Sequence, residues 1–225
     1  MPPLPPISLG VGAEIIYTFV IIVCSLMVYF GTKEIYDLSS YKGIKYFRQA
    51  FLFFAMAYLF EFVINFIIIY FNLHEIFEIF PLMLGYLALF VFIYMSLISI
   101  FYLIYSMSWK KWKEESKVIY AFHAIAILIA LATIIFRNQW FYVGLNILLL
   151  LSAIIAASVS SYSQRHKSKK NNLLAIYLLL FVFFILNVFN ILVPVFFESL
   201  KLITYLMSLG IFLVILYKVL KKSGD

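Results

Sequence analysis

The sequence predicts an all-α polytopic membrane protein: one domain, residues 1–225, folded as a seven-transmembrane helix bundle with its N-terminus outside and its C-terminus cytoplasmic. Three observations predict it. The chain is 66% hydrophobic and only 12% charged, with a mean hydropathy of +1.07, whereas a soluble domain is nearer half apolar and about a quarter charged. Apolar runs of about 20 residues, the length that crosses a hydrocarbon core of roughly 30 Å, recur along the chain. Basic residues separate these runs and gather at alternate loops.

Span 1 covers about residues 11–30. The preceding Met1-Pro2-Pro3-Leu4-Pro5-Pro6 has no positive region, so no cleavable signal peptide is expected and span 1 serves as its own insertion signal. Span 2 covers about 46–71 and span 3 about 81–107, where Pro81 fits a first helical turn. Spans 4 and 5 cover about 118–136 and 140–162. Spans 6 and 7, about 173–197 and 200–217, are divided by only a few residues around Glu198 and Ser199. Together they are too long for one membrane crossing, so a tight hairpin is expected.

The charges orient the bundle. Lys33, Lys42, Lys45 and Arg48 follow span 1; Lys110, Lys111, Lys113 and Lys117 follow span 3; Arg165, Lys167, Lys169 and Lys170 follow span 5; Lys218, Lys221 and Lys222 form the tail. Of the 17 basic residues only Arg137 and Lys201 fall on the other side. The loop between spans 2 and 3 carries Glu75 and Glu78 and no Lys or Arg. The basic side is therefore read as cytoplasmic, and the alternation requires an odd number of spans. The longest loop, about 31–45, leaves no room for a soluble domain, so any output passes to a separate cytoplasmic protein.

This distribution also accounts for the net charge of +7 through membrane orientation, and nucleic acid is not an expected partner. The 25 Phe and 17 Tyr suit lipid-facing surfaces and interfacial belts. One cysteine, Cys24, excludes an intramolecular disulfide and a multi-thiolate metal site. No metal or cofactor is expected.

A charged side chain in mid-span is costly and is a functional candidate by default. Glu61 is the clear case, roughly 20 Å deep by helix rise from Arg48. Asn65 lies one turn further on the same face. Asn187 and Asn190 on span 6, and Asn146 on span 5, reach similar depth by the same count. Glu61, Asn65, Asn146, Asn187 and Asn190 are therefore read as a polar layer slightly outside the midplane, a candidate ligand- or ion-binding site. Against this stands the ordinary interhelical hydrogen bond of a membrane asparagine, worth about 0.6–2 kcal/mol. Glu61 is either kept protonated by desolvation or binds a cation or cationic ligand. His123, about 9 Å from the inner surface, is too far from Glu61 in depth for contact and reads as a satisfied interfacial histidine. The stretches 41–48 and 109–113 mix Lys and Arg with Tyr and Trp, so they are expected to bind anionic lipid headgroups, or else to dock a cytoplasmic protein.

Lys33-Glu34-Ile35-Tyr36 and the stretch 42–54, from Lys42-Gly43-Ile44-Lys45 to Phe53-Phe54, resemble a segment of small multi-span archaeal membrane proteins of unassigned function. The resemblance implies no activity. Retinal proteins need a lysine in the middle of span 7, where this chain has Ser208-Leu209-Gly210-Ile211. Three-plus-one-plus-three sugar transporters carry a Pro-Gln motif and G-protein-coupled receptors carry Asp-Arg-Tyr and Asn-Pro-x-x-Tyr; neither pattern is present. His-Glu-x-x-His, a glycine-rich phosphate loop and Gly-x-Ser-x-Gly are also missing, and the chain is expected not to be an enzyme.

The expected function is a receptor-like or sensory component of the cell membrane, with a small outward-facing polar cavity at Glu61. One alternative is a small transporter or proton/cation pathway using Glu61. It is disfavoured because transporter sites usually sit at Gly- or Pro-interrupted helices, whereas Pro194 is the only proline interior to a span and the eight glycines form no Gly-x-x-x-Gly. The other is a structural or assembly subunit of a membrane complex.

Overall fold

A computed structural model of the chain describes residues 9–70, 80–109, 115–136, 144, 178–180, 182–183, 185–186 and 198–224. Its labelled elements are α1 (Leu9–Gly31), α2 (Lys33–Ser39), α3 (Lys42–Tyr70), α4 (Phe80–Ser108), α5 (Glu115–Phe136) and α6 (Glu198–Gly224). Residues described between 178 and 186 are also helical. Five helices are long and apolar enough to cross a membrane, at Ile15–Ser39, Lys42–Ile64, Met83–Ser108, Ser116–Phe136 and Leu202–Val219. These cover spans 1 to 4 and span 7 of the sequence reading. Span 5, apart from Gly144, and most of span 6 lie outside the described residues.

The chain forms helices here because each one satisfies its backbone hydrogen bonds internally, which lipid demands. Several serine and threonine hydroxyls within the helices follow the same logic and turn back onto their own backbone. Ser25 Oγ donates to Ile21 O at 2.7 Å and Thr204 Oγ1 to Leu200 O at 2.8 Å. Pro81 is the second residue of α4, where a missing N–H breaks no helical bond.

One segment departs from expectation. The connection after span 1 is not a plain loop, because α2 continues the path of α1 after a break at Thr32. Thr32 N–H and Oγ1 both donate to Val28 O, at 3.1 and 2.7 Å. The chain then reverses at Ser40, in the left-handed region with φ 48°, and Tyr41 N–H donates to Ser39 Oγ. Lys42, Lys45 and Arg48, read from sequence as loop charges, stand on the first two turns of α3.

α3 pairs most extensively with α4; α1 packs on α3 and α6, and α5 on α4. The buried core joins these helices through aromatic rings. Phe212 of α6 stacks on Phe54 of α3 with centroids 6.1 Å apart and meets Phe183 at 4.8 Å. Tyr46 of α3 meets Tyr105 of α4 edge-on at 4.6 Å. Nearby, α3 and α4 approach so closely that a Cβ on Gly43 would lie 2.8 Å from Ser106 O. Large apolar side chains also face away from the described core, among them Leu128 at 66%, Ile135 at 73% and Leu206 at 63% exposure. Water would penalise such a surface and lipid does not. The apolar helices suggest a lipid-bilayer environment.

Candidate functional site

Helix α3 carries Glu61, whose side chain is half-buried. Residues three and four apart share a helix face. Glu61 thus continues a stripe that runs through buried Ala57 and Tyr58 and on to buried Ile64. The Asn65 backbone is helical one turn beyond, and its side chain lies outside the described residues. Asn146, Asn187 and Asn190 also lie outside them, so the structure places Glu61 alone of the five predicted site residues in its surroundings.

Those surroundings contain residues that sequence reasoning missed. Tyr58, one turn from Glu61, meets Tyr17 of α1 edge-on at 6.3 Å and Phe92 of α4 at 5.4 Å. Tyr17 in turn stacks on Tyr205 of α6 at 4.6 Å. Four helices therefore meet at a tyrosine-rich junction one helical turn from Glu61. The signal was present only as tyrosines among 17, with nothing local to set these three apart. An aromatic ring face carries negative quadrupole potential, as a carboxylate carries negative charge.

A cavity of about 10 Å³ opens further toward the start of α3, lined by Phe51, Phe54, Ser99, Leu103, Leu180 and Phe183. It holds a water molecule at most, and its Phe54 is roughly 10 Å from Glu61 along the helix.

A second polar cluster joins α4 to α5. The Tyr94 hydroxyl lies 2.8 Å from His123 Nδ1, and the Tyr102 hydroxyl lies 3.4 Å from Nε2. Phe53 of α3 meets the imidazole edge-on with centroids 6.3 Å apart. His123 is thus hydrogen-bonded, as a histidine in an apolar helix should be. Neutral imidazole has one donor and one acceptor nitrogen, and each tyrosine hydroxyl can play either role. The three side chains form a continuous hydrogen-bonded row. Its Tyr102–His123 half joins residues toward the connected ends of α4 and α5, which are consecutive in the chain.

Comparison with known proteins adds one relative. A protein of Archaeoglobus fulgidus, described as an uncharacterized protein, is 30% identical over 231 residues, which span 98% of this chain and 96% of the relative. No protein-family model matches the chain, and no solved structure matches it.

Proposed function

The chain belongs to the family of that Archaeoglobus fulgidus protein, and from this premise we propose that it is a seven-helix, multi-pass protein of the cell membrane acting as a receptor-like or sensory component. Its N-terminus lies outside and its C-terminus in the cytoplasm, following the positive-inside rule. The observation that carries the reading is Glu61, a carboxylate on the buried stripe of α3 one turn from the Tyr17–Tyr58–Tyr205 junction of four helices. A charge there is expensive unless it serves a purpose. A small outward-facing site of this chemistry takes a cation or a cationic organic ligand. The asparagines at 65, 146, 187 and 190 complete the polar layer, and the cytoplasmic loops pass the output to a partner protein. The protein is not an enzyme on this reading, since its sequence holds no catalytic constellation.

The test is thermal unfolding of purified protein against a cation panel from sodium to tetramethylammonium. A ligand at about 100 times its Kd should stabilise by about 2.7 kcal/mol, and Glu61→Gln should abolish that gain. A panel without effect on the wild type, or a gain that survives Glu61→Gln, rejects the proposal.

The Tyr94–His123–Tyr102 row favours a second reading, a proton or cation pathway that uses Glu61. It predicts pH-driven flux in liposomes that falls in Glu61→Gln and again in His123→Gln.

A further inference from the structure

Arg48 stands on the second turn of α3, level with the break between α1 and α2. Its Nε–H donates to the Tyr29 carbonyl at 3.0 Å. Its guanidinium lies over the Tyr29 ring at 4.8 Å and near the Tyr36 ring at 5.7 Å. Tyr29 and Tyr36 are seven residues apart, which puts both on one side of the α1–α2 path. The guanidinium is thereby fixed in orientation, with one of its five N–H donors used.

The remaining four N–H groups, on the two Nη atoms, have no acceptor among the described residues. No carboxylate among them forms an ion pair with Arg48, although Glu34 and Asp37 are exposed on the neighbouring α2. The adjoining ends of α2 and α3 also carry Lys33 and Lys42, both exposed, and Lys45, whose Nζ lies 5.5 Å from the Tyr46 ring. A fixed guanidinium whose two-nitrogen edge has no acceptor among the described residues matches two oxygens of a phosphate.

The same spot is continuous with an apolar track. Tyr29 meets Phe30 edge-on at 5.1 Å, and Phe30 is 62% exposed at the end of an α1 stripe formed with Phe19, Val23 and Met27. Charge at one end and an exposed apolar stripe leading along the span is the shape of an amphiphile.

We propose that the Arg48–Tyr29–Tyr36 crease is a binding site for the phosphodiester of an anionic phospholipid, whose acyl chain lies along the Phe19–Phe30 stripe of α1. The inference rests on the membrane-spanning reading of the chain but not on the sensory one. Arg48 holds the phosphate through its Nη edge, the lysines add long-range attraction, and the tyrosines keep the guanidinium from turning away.

The experiment is native mass spectrometry and thermal unfolding of detergent-purified protein titrated with phosphatidylglycerol, phosphatidylcholine or inorganic phosphate. Wild type should retain and be stabilised by phosphatidylglycerol in preference to phosphatidylcholine. Arg48→Gln should lower phosphatidylglycerol affinity about tenfold, the effect of losing one charge-assisted pair. Arg48→Lys should fall between, and Lys218→Gln should match wild type. No preference in the wild type, or an unchanged preference in Arg48→Gln, overturns the site. Equal stabilisation by inorganic phosphate overturns the lipid assignment. If Arg48→Gln does not fold, Arg48→Lys and the wild-type competition decide the matter. Resistance of the wild type to alkaline carbonate extraction checks the membrane reading separately, so its failure is distinguishable from that of the site.

Discussion

Tyr94 and His123 face each other across the α4–α5 packing, with the hydroxyl oxygen 2.8 Å from Nδ1. α5 is mostly exposed beyond this contact; a longer hydrogen bond joins Nε2 to Tyr102 at 3.4 Å, and apolar rings add to it, such as Phe101 stacked on Phe122 at 5.0 Å. In lipid, apolar contacts between helices gain little from the hydrophobic effect, so a directional hydrogen bond carries unusual weight in setting helix position. A double-mutant cycle of Tyr94→Phe and His123→Phe should return a coupling of about 0.6–1.7 kcal/mol. Unfolding in detergent measures it. Additive single effects would mean that the pair is not coupled.

At Gly43, α3 lies tight against the backbone of α4. A Cβ there meets the Tyr41 ring and, at 2.8 Å, the rigid Ser106 carbonyl. Gly43→Ala should destabilise by about 1–3 kcal/mol, the usual effect of overpacking. Gly85→Ala, with nothing within 4 Å of its Cβ among the described residues, should be neutral or stabilising by up to about 1 kcal/mol through helix propensity. The same melting assay on both variants separates a packing effect from a general glycine effect.

Phe212 is 1% exposed and touches rings from two other segments. Phe→Ala in a water-soluble core costs about 3–5 kcal/mol, part transfer and part cavity. In a membrane the transfer part shrinks because lipid is itself apolar. Phe212→Ala should therefore cost roughly 2 kcal/mol. A loss of 4 or more would argue that this ring is shielded from water rather than from lipid.

The apolar helices are legible in the sequence because lipid imposes a length and a composition that no local detail can disguise. α2 is not, since seven residues with an acidic pair and no apolar run carry no such mark. Arg48 shows the limit of reading charge by position. Its place between Lys45 and a long apolar run signals an interface, but only the fold brings Tyr29, 19 positions earlier, under its guanidinium. Glu61 stands out by its cost alone, while Tyr17, Tyr58 and Tyr205 are hidden by the abundance of tyrosine. Their meeting depends on which helices are neighbours, and periodicity cannot supply that.

The central claim, an odd number of crossings with all strongly basic connections on one side, is tested most directly by accessibility labelling in a Cys24→Ala background. Lys111→Cys and Lys169→Cys should both react only from the cytoplasmic side, and Leu4→Cys only from outside. Lys111→Cys and Lys169→Cys reacting from opposite sides would contradict the seven-helix topology and the outward placement of Glu61 with it.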